Sequence, residues 1–328
     1  MKGCTKLRYS VAASVLVGIS AAWFGETVMA VVKPRSFSVP ESYLRVTRAA
    51  PFPARQASAL GGRAVLARIA ELPARRREAA IFAELAAGNV PDHLRTMQPV
   101  RITTRDGRGR EITGTVWALP DYLAVGSNDD YVRVPMNLET ASRVAIHLGM
   151  ALPTAKIVDD IYAGADIRLT PDPMPPTHEM TSLAYAVKHD DRIRQSLGLQ
   201  LAPGALPLQR IIAGHKKDIV MTSRLERRGD RIAIFGWHRP NGRPIQPLST
   251  VHGRRYADYS HGVRLVSTNV YIDGRFVAIE EALDDRAMSQ LLSYEGRFRT
   301  YASILETAAH GGSDPGRRRS GLYALLQQ

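Results

Sequence analysis

Residues 262–279 read GVRLVSTNVYIDGRFVAI. Two strand-like runs lie here, 262–267 and 269–279, and Asp273-Gly274 is a turn signal because both residue types tolerate positive φ. A strand that returns through a two-residue turn pairs antiparallel, whereas a parallel partner needs a long crossover. The stretch therefore points to a meandering sheet. Upstream, further strands are read near 209–214, 217–224 and 231–237, with Asn241-Gly242 as a second turn signal.

Residues 99–136 show the same period of two, in Val100-Arg101-Ile102, Glu111 to Trp117 and Tyr131 to Val134, with a hairpin turn at 106–109. Helical spacing covers 58–88, stopped by Gly88-Asn89, and 138–165, broken near Pro153 with Thr154 as N-cap. A rigid proline-rich loop at 171–177 precedes another helix at 181–196, and one or two helices close the chain at 280–308. Helical and stranded blocks with short turns predict an α+β fold, with a mainly antiparallel sheet in the C-terminal half and helices packed against it. The expected organisation is a leader at 1–30, a helical segment at 31–98, an α+β catalytic or binding domain at 99–310 and a basic tail at 311–328.

Composition narrows the function. At 328 residues and 45% hydrophobic the chain has ample material for a core. Its single cysteine, Cys4, excludes a disulfide framework, a cysteine zinc site and an iron–sulfur cluster held by this chain alone. No G-x-S-x-G, H-E-x-x-H, S-x-x-K or Walker motif occurs, and the glycines at 107 and 109 lie in a hairpin rather than opening a helix.

Lys2, Lys6 and Arg8 precede an apolar run from Val11 to Phe24, and Val28-Met29-Ala30 is a small-x-small cleavage site. The run fits a signal peptide cleaved near Ala30 better than a full membrane span, the alternative being a single N-terminal anchor helix. This predicts a secreted or periplasmic protein with no stable membrane insertion after leader removal. Cleavage takes the formal charge from +13 to +11. Such a charge favours anionic partners, either cell-wall and polysaccharide polymers or small anionic substrates. No nucleic-acid-binding motif is present. Arginine accounts for 37 of the 44 basic residues, a skew that resembles a GC-rich bacterial genome.

The chemistry concentrates at 214–264. Four of the nine histidines, His215, His238, His252 and His261, fall there beside glycines, and Lys216 and Lys217 are two of only five lysines after the leader. One reading is a metal site for a single divalent ion such as zinc, with His215 and Asp218 as two ligands, His261 or His252 as the third, and one position left open for an activated water. It requires a bulge or turn, because positions 215 and 218 face opposite sides of an unbroken strand. A second reading is a hydroxyl nucleophile with a histidine base. Ser260 and His261 cannot form that pair on a strand, so Ser223, Ser249 or Thr250 would serve. A third is a metal-free acid–base site using histidine with Tyr256 or Tyr259. The alternative to all three is a set of satisfied strand-end histidines.

The stretch 252–265, HGRRYADYSHGVRL, is similar to the L,D-transpeptidase signature, but Val263 follows Ser260-His261-Gly262 where that family has its catalytic cysteine. The nucleophile, and with it the activity, does not carry over. More broadly, GNVPDHLR (88–95), DYLAVGSNDDYVRVPM (121–136), LPTAKIVDDIY (152–162), GHKKDIV (214–220), FGWH (235–238) and YSHGVRL (259–265) resemble a set of exported bacterial proteins of no assigned activity. The expectation is a hydrolase of a cell-envelope or extracellular polymer. His215, Lys216, Asp218 and His261 would be its catalytic residues, and Lys217, Trp237, His238, Tyr259 and Arg264 would bind substrate. Its rival is a non-catalytic protein that binds an anionic polymer through an arginine face.

Overall fold

The computed structural model describes residues 48–200 and 210–311. The first block runs β1 (Arg48–Ala49), α1 (Gly62–Ile69), α2 (Ala74–Ala86), β2 (Thr96–Arg105) and β3 (Glu111–Ala118). The middle block is β4 (Ala124–Gly126), β5 (Tyr131–Arg133), α3 (Leu138–His147), β6 (Met150–Ala151), α4 (Ala155–Gly164), β7 (Ile167–Arg168) and α5 (Leu183–Gly198). The last block holds β8 (Ile212–Ala213), β9 (Lys217–Ile219), β10 (Ile234–His238), β11 (Pro244–Ser249), β12 (His261–Gly262), β13 (Val266–Ile272) and β14 (Arg275–Ala278). Three short helices close it: α6 (Ile279–Asp284), α7 (Ser289–Leu292) and α8 (Tyr301–Ala309).

The larger sheet has the order β1-β2-β3-β13-β14, with β6 also on β13, and all its pairings are antiparallel. Asp273 and Gly274, at φ 49° and 82°, turn β13 into β14 in the left-handed conformation that a two-residue hairpin requires. At the β2–β3 hairpin the Asp106 carboxylate accepts from the backbone N–H groups of Arg108 (2.8 Å) and Arg110 (2.9 Å). The smaller sheet has the order β11-β10-β9-β12, antiparallel except for the β9–β12 pair. The fold is α+β, with antiparallel sheets concentrated in the C-terminal half, as the turn chemistry predicts.

Alternation builds the core. Val100, Ile102, Val116 and Val270 are buried on one face of the larger sheet, and α4 packs on β2. Each such aliphatic side chain contributes about 1.5–3 kcal/mol by leaving water.

Several sequence expectations need correction. The helix expected over 58–88 is two helices, because Pro73 cannot donate a backbone hydrogen bond and instead precedes α2. The strand expected over 217–224 ends at Ile219, and Ser223–Glu226 forms a 3₁₀ turn in which Thr222 accepts from the N–H of Arg224. β11 falls on 244–249, where no strand was expected, because Asn241-Gly242 folds the chain back on β10. The division at 98/99 falls inside β2, and β1 belongs to the larger sheet. The helical segment is therefore no separate body: Gly62 N donates to Asp130 O (2.8 Å), seating α1 beside β5. The leader and residues 312–328 of the tail lie outside the described residues. Among the described residues no helix is long and apolar enough to cross a membrane.

Thr154 caps α4 as expected. Its Oγ1 accepts from the Ile157 N–H (3.3 Å) and donates to the Leu292 carbonyl, tying α4 to α7. Thr154→Ala should lower stability by about 1–2 kcal/mol in urea unfolding, and Thr154→Ser should recover most of the loss.

Candidate functional site

Three distant motifs become neighbours in the smaller sheet. Lys217 and Asp218 on β9 pair with Gly236 and Phe235 on β10, and with His261 and Gly262 on β12. Trp237 N donates to Lys216 O (3.0 Å) and Lys217 N donates to Ser260 O (2.8 Å). The segment GHKKDIV thus runs between FGWH and YSHGVRL. Approach is tight at Gly262, where a Cβ would lie 2.6 Å from the Tyr122 ring and 2.9 Å from Lys216 Cβ. The chain bends at 214–216 before entering β9, which frees His215 from strand alternation.

A buried ion cluster supports this centre. Arg133 on β5 directs Nε (2.9 Å) and Nη2 (2.6 Å) at Asp121 Oδ2, and Nη1 at Asp190 Oδ1 (2.8 Å). Asp190 also takes Arg194 Nε at 2.9 Å. Burial alone would raise both carboxyls, but Arg133, with His215 beside Asp121 and Arg194 beside Asp190, holds them below the usual range. The second oxygen of Asp121 meets His215 Nε2 at 3.0 Å. Nε2 therefore carries the ring proton, and Nδ1 is left as a buried lone pair with no protein partner. Burial pushes the His215 imidazole down to about 4, against the pull of Asp121.

Lys216 is fully buried and its ammonium donates to the Tyr259 carbonyl (2.7 Å). Burial brings it down to about 8. His189 on α5 is also fully buried and hydrogen-bonds through neither ring nitrogen. It lies edge-on to Trp237 (6.1 Å) and Tyr259 (4.9 Å). Burial, with Lys216 and His215 adding to it, pushes His189 down to about 2. His189 and His215 share a pit with Leu169, Thr170, Asp172, Ile193 and Ser196, of about 10 Å³. That is the room of a single water.

On the β12 side, Asp258 accepts from the hydroxyl (2.5 Å) and N–H (2.8 Å) of Ser260 and from the Tyr256 hydroxyl (3.1 Å). His261 Nε2 lies 3.9 Å from Asp258 Oδ2, beyond hydrogen-bond reach, and neither ring nitrogen is partnered. Burial pushes His261 down to about 4. Asp218 accepts from the Tyr122 hydroxyl (2.8 Å), and burial raises its carboxyl to about 6.

The fold therefore brings His215, Lys216, Asp218 and His261 to one sheet. It does not assemble the metal set of His215, Asp218, His252 and His261. Tyr122 separates the first two, with its ring 4.8 Å from that of His215 and its hydroxyl on Asp218, and His252 stacks on Tyr256 at 4.1 Å. Among the described residues no three His, Cys, Asp or Glu side chains are grouped to hold a metal ion. Ser260 bonds Asp258 and forms no pair with His261, as strand alternation requires.

The substrate-binding candidates divide. Arg264 is committed to the carbonyls of Leu119 (2.7 Å) and Ile212 (2.5 Å), and covers the Tyr122 ring at 4.5 Å, so it fastens backbone and has no hand free for substrate. His238 bonds Asp159 (2.7 Å) and stacks on Tyr162 (4.4 Å), so it too is held by the fold. Half-buried Lys217 lies 5.2 Å from the centre of the Trp237 ring. Trp237 and Tyr259 pack with Met174 and Tyr185 around His189.

Asp121, Tyr122, Arg133, His189 and Asp190 were not among the candidates. The first three stand in the stretch DYLAVGSNDDYVRVPM, so the signal was present, but nothing in its spacing tells a clamp from a strand pair. His189 falls on the buried face of α5 with Tyr185, Ala186, Ile193 and Leu197, a position that helical spacing assigns to packing. No protein-family model, curated protein or solved structure matches the chain.

Two predictions follow from burial. Arg133→Met leaves Asp121 and Asp190 without their shared cation and should destabilise the fold by about 3–5 kcal/mol in urea unfolding. His261 takes up a proton below about 6.5 when unfolded but only near 4 when folded, so the stability it allows at neutral pH is lost as pH falls between these values. Asp218, raised to about 6, works in the opposite sense. His261→Phe keeps Asp218 and removes the histidine's proton uptake, so the variant should gain stability relative to wild type as pH falls from 7 to 4.5, read from urea midpoints.

Proposed function

We propose that this protein is an exported hydrolase of a cell-envelope or extracellular polymer, working through His215 oriented by Asp121, with Lys216 as the cationic group of the site. One observation carries the reading. Among the described residues ten buried side-chain polar atoms have no hydrogen-bond partner in the protein, and seven of them belong to His189, His215, Asp218, Trp237 and His261. A polar core kept only for stability satisfies its groups, because each buried orphan costs about 1–3 kcal/mol. Concentrating the orphans around one sheet centre supports a site whose partners arrive with substrate.

The chemistry follows from His215. Its Nδ1 lone pair can take a proton from water while Asp121 stabilises the imidazolium. Lys216, at about 8, keeps its charge at neutral pH and can hold an anionic group. The proline-rich strap at 171–177 borders the site, with Asp172 in the pit wall and Met174 buried against Trp237 and Tyr259. The Tyr259 hydroxyl bonds both the N–H (2.9 Å) and the carbonyl (3.1 Å) of Met174, and the Tyr185 hydroxyl bonds the Pro175 carbonyl (2.6 Å). In this reading a polymer reaches His215 only once the strap's bonds to Tyr259 and Tyr185 open. The charged leader supports export, and the +11 left after its removal suits an anionic envelope.

The small pit favours a second reading, in which exposed arginines such as Arg75 and Arg76 bind an anionic polymer and the buried network is structural.

The mature protein incubated with purified peptidoglycan and with extracellular polysaccharides should release soluble fragments. His215→Gln should lower the rate by about 10²–10⁴-fold with its urea midpoint near that of wild type. Activity insensitive to a chelator supports the acid–base site, and activity abolished by it replaces that site with a metal. Polymer sedimenting with the protein, with no fragment released, supports the binding reading instead.

A further inference from the structure

The pit wall holds three titratable side chains. Asp172 is tied in a two-pronged bridge to Arg192 (2.5 and 2.6 Å), and His215 is held by Asp121. His189 has no hydrogen-bond partner in the protein at either ring nitrogen, although it is fully buried. T-shaped packing against Trp237 and Tyr259 fixes its ring, so its orientation is set without using its N–H. The clamp that orients His215 also places His189. Arg133 holds Asp121 on one side and Asp190 on the other, and Asp190 follows His189 in α5 and also accepts from the Arg133 backbone N–H (3.2 Å).

We infer that His189 is a second catalytic residue of this site, a neutral N–H donor to the oxyanion formed when a water deprotonated by His215 adds to an acyl carbon of the polymer. The inference rests on the hydrolase reading and narrows its substrate to an ester or amide. Glycoside cleavage uses a pair of carboxyl groups across the scissile bond. Among the described residues the one carboxylate in the pit wall is bridged to Arg192, and the buried polar atoms left without a protein partner there are His215 Nδ1 and the two ring nitrogens of His189. A neutral imidazole has one N–H and one lone pair, and burial keeps His189 neutral by pushing it down to about 2. A neutral N–H fixed in a site closed to bulk water stabilises a developing negative oxygen with little reorganisation.

The step balances as follows. The water oxygen bonds to the acyl carbon as its proton passes to His215 Nδ1. The carbonyl π pair moves onto the carbonyl oxygen, which accepts a hydrogen bond from His189. When the carbonyl re-forms, the bond to the leaving oxygen or nitrogen breaks, and that atom takes the proton back from His215. His189 transfers no proton.

The test compares His189→Phe, which fills the space without a donor, with His189→Asn, which restores a neutral N–H. Both are assayed with O-acetylated peptidoglycan and with nitrophenyl acetate. His189→Phe should lower kcat by about 10²–10³-fold with little change in KM, and His189→Asn should recover at least about tenfold of that loss, as a donor but not a packing role would allow. If the Phe variant does not fold, His189→Leu takes its place. Folded Phe or Leu variants with wild-type kcat, or an Asn variant no better than them, overturn the inference and leave the hydrolase reading standing. Wild-type protein that cleaves polysaccharide chains but neither acyl substrate does the same. Wild-type protein inert on every polymer overturns both.

Discussion

The Arg133 guanidinium lies between two carboxylates in the interior, and most of what distinguishes this fold is arranged around it. Arginine is suited to the task because its planar fork offers donors at fixed angles, so one side chain can face Asp121 through two nitrogens and Asp190 through the third. The contact joins β5, the segment after β3 that carries Asp121, and α5. A lone buried charge would cost several kcal/mol. The cluster survives because each charge meets its opposite at hydrogen-bonding distance. It gives no large net stability over an apolar core of the same shape. It does hold His215 and His189 in fixed places, which an apolar core would not require.

Backbone strain lies in the same region. Trp237 has φ 56°, in the left-handed region, where a bulky side chain costs about 1–3 kcal/mol. In that conformation its N–H reaches the Lys216 carbonyl and its indole packs beside His189 and Tyr259. The indole N–H is itself buried and unpartnered. Strain and unsatisfied polar atoms thus coincide at one sheet centre, where the surrounding packing is dense enough to hold both.

The two sides of that centre differ in how they reach solvent. His189 and His215 meet at a pit walled partly by the proline-rich strap, whereas Asp258 and His261 connect outward through Tyr256 and the half-buried His252. Lys216 lies between them, bonded to the backbone of Tyr259 and electrostatically coupled to His189 and His261.

Local physics made much of this legible from the chain alone. Asp273-Gly274 turned a hairpin because two adjacent residues with positive φ leave few other options, and Thr154 capped α4 because its hydroxyl precedes a helical run. Period-two alternation located β2 because its two faces differ, with Val100 and Ile102 buried and Arg101 exposed, whereas the runs read at 262–267 and 269–279 became β13 at 266–272 and β14 at 275–278. The clustering of His215, Lys216, Asp218 and His261 was visible as composition. What the sequence could not determine was partnership. Whether Asp218 meets a metal or the Tyr122 hydroxyl, whether Arg264 holds substrate or the carbonyls of Leu119 and Ile212, and whether His189 packs or works all depend on residues about 50 to 150 positions away. Hydrogen bonds and ion pairs of that span have no local period, so they exist only once the sheets have brought Asp121, Arg133, Asp190 and His215 to one place.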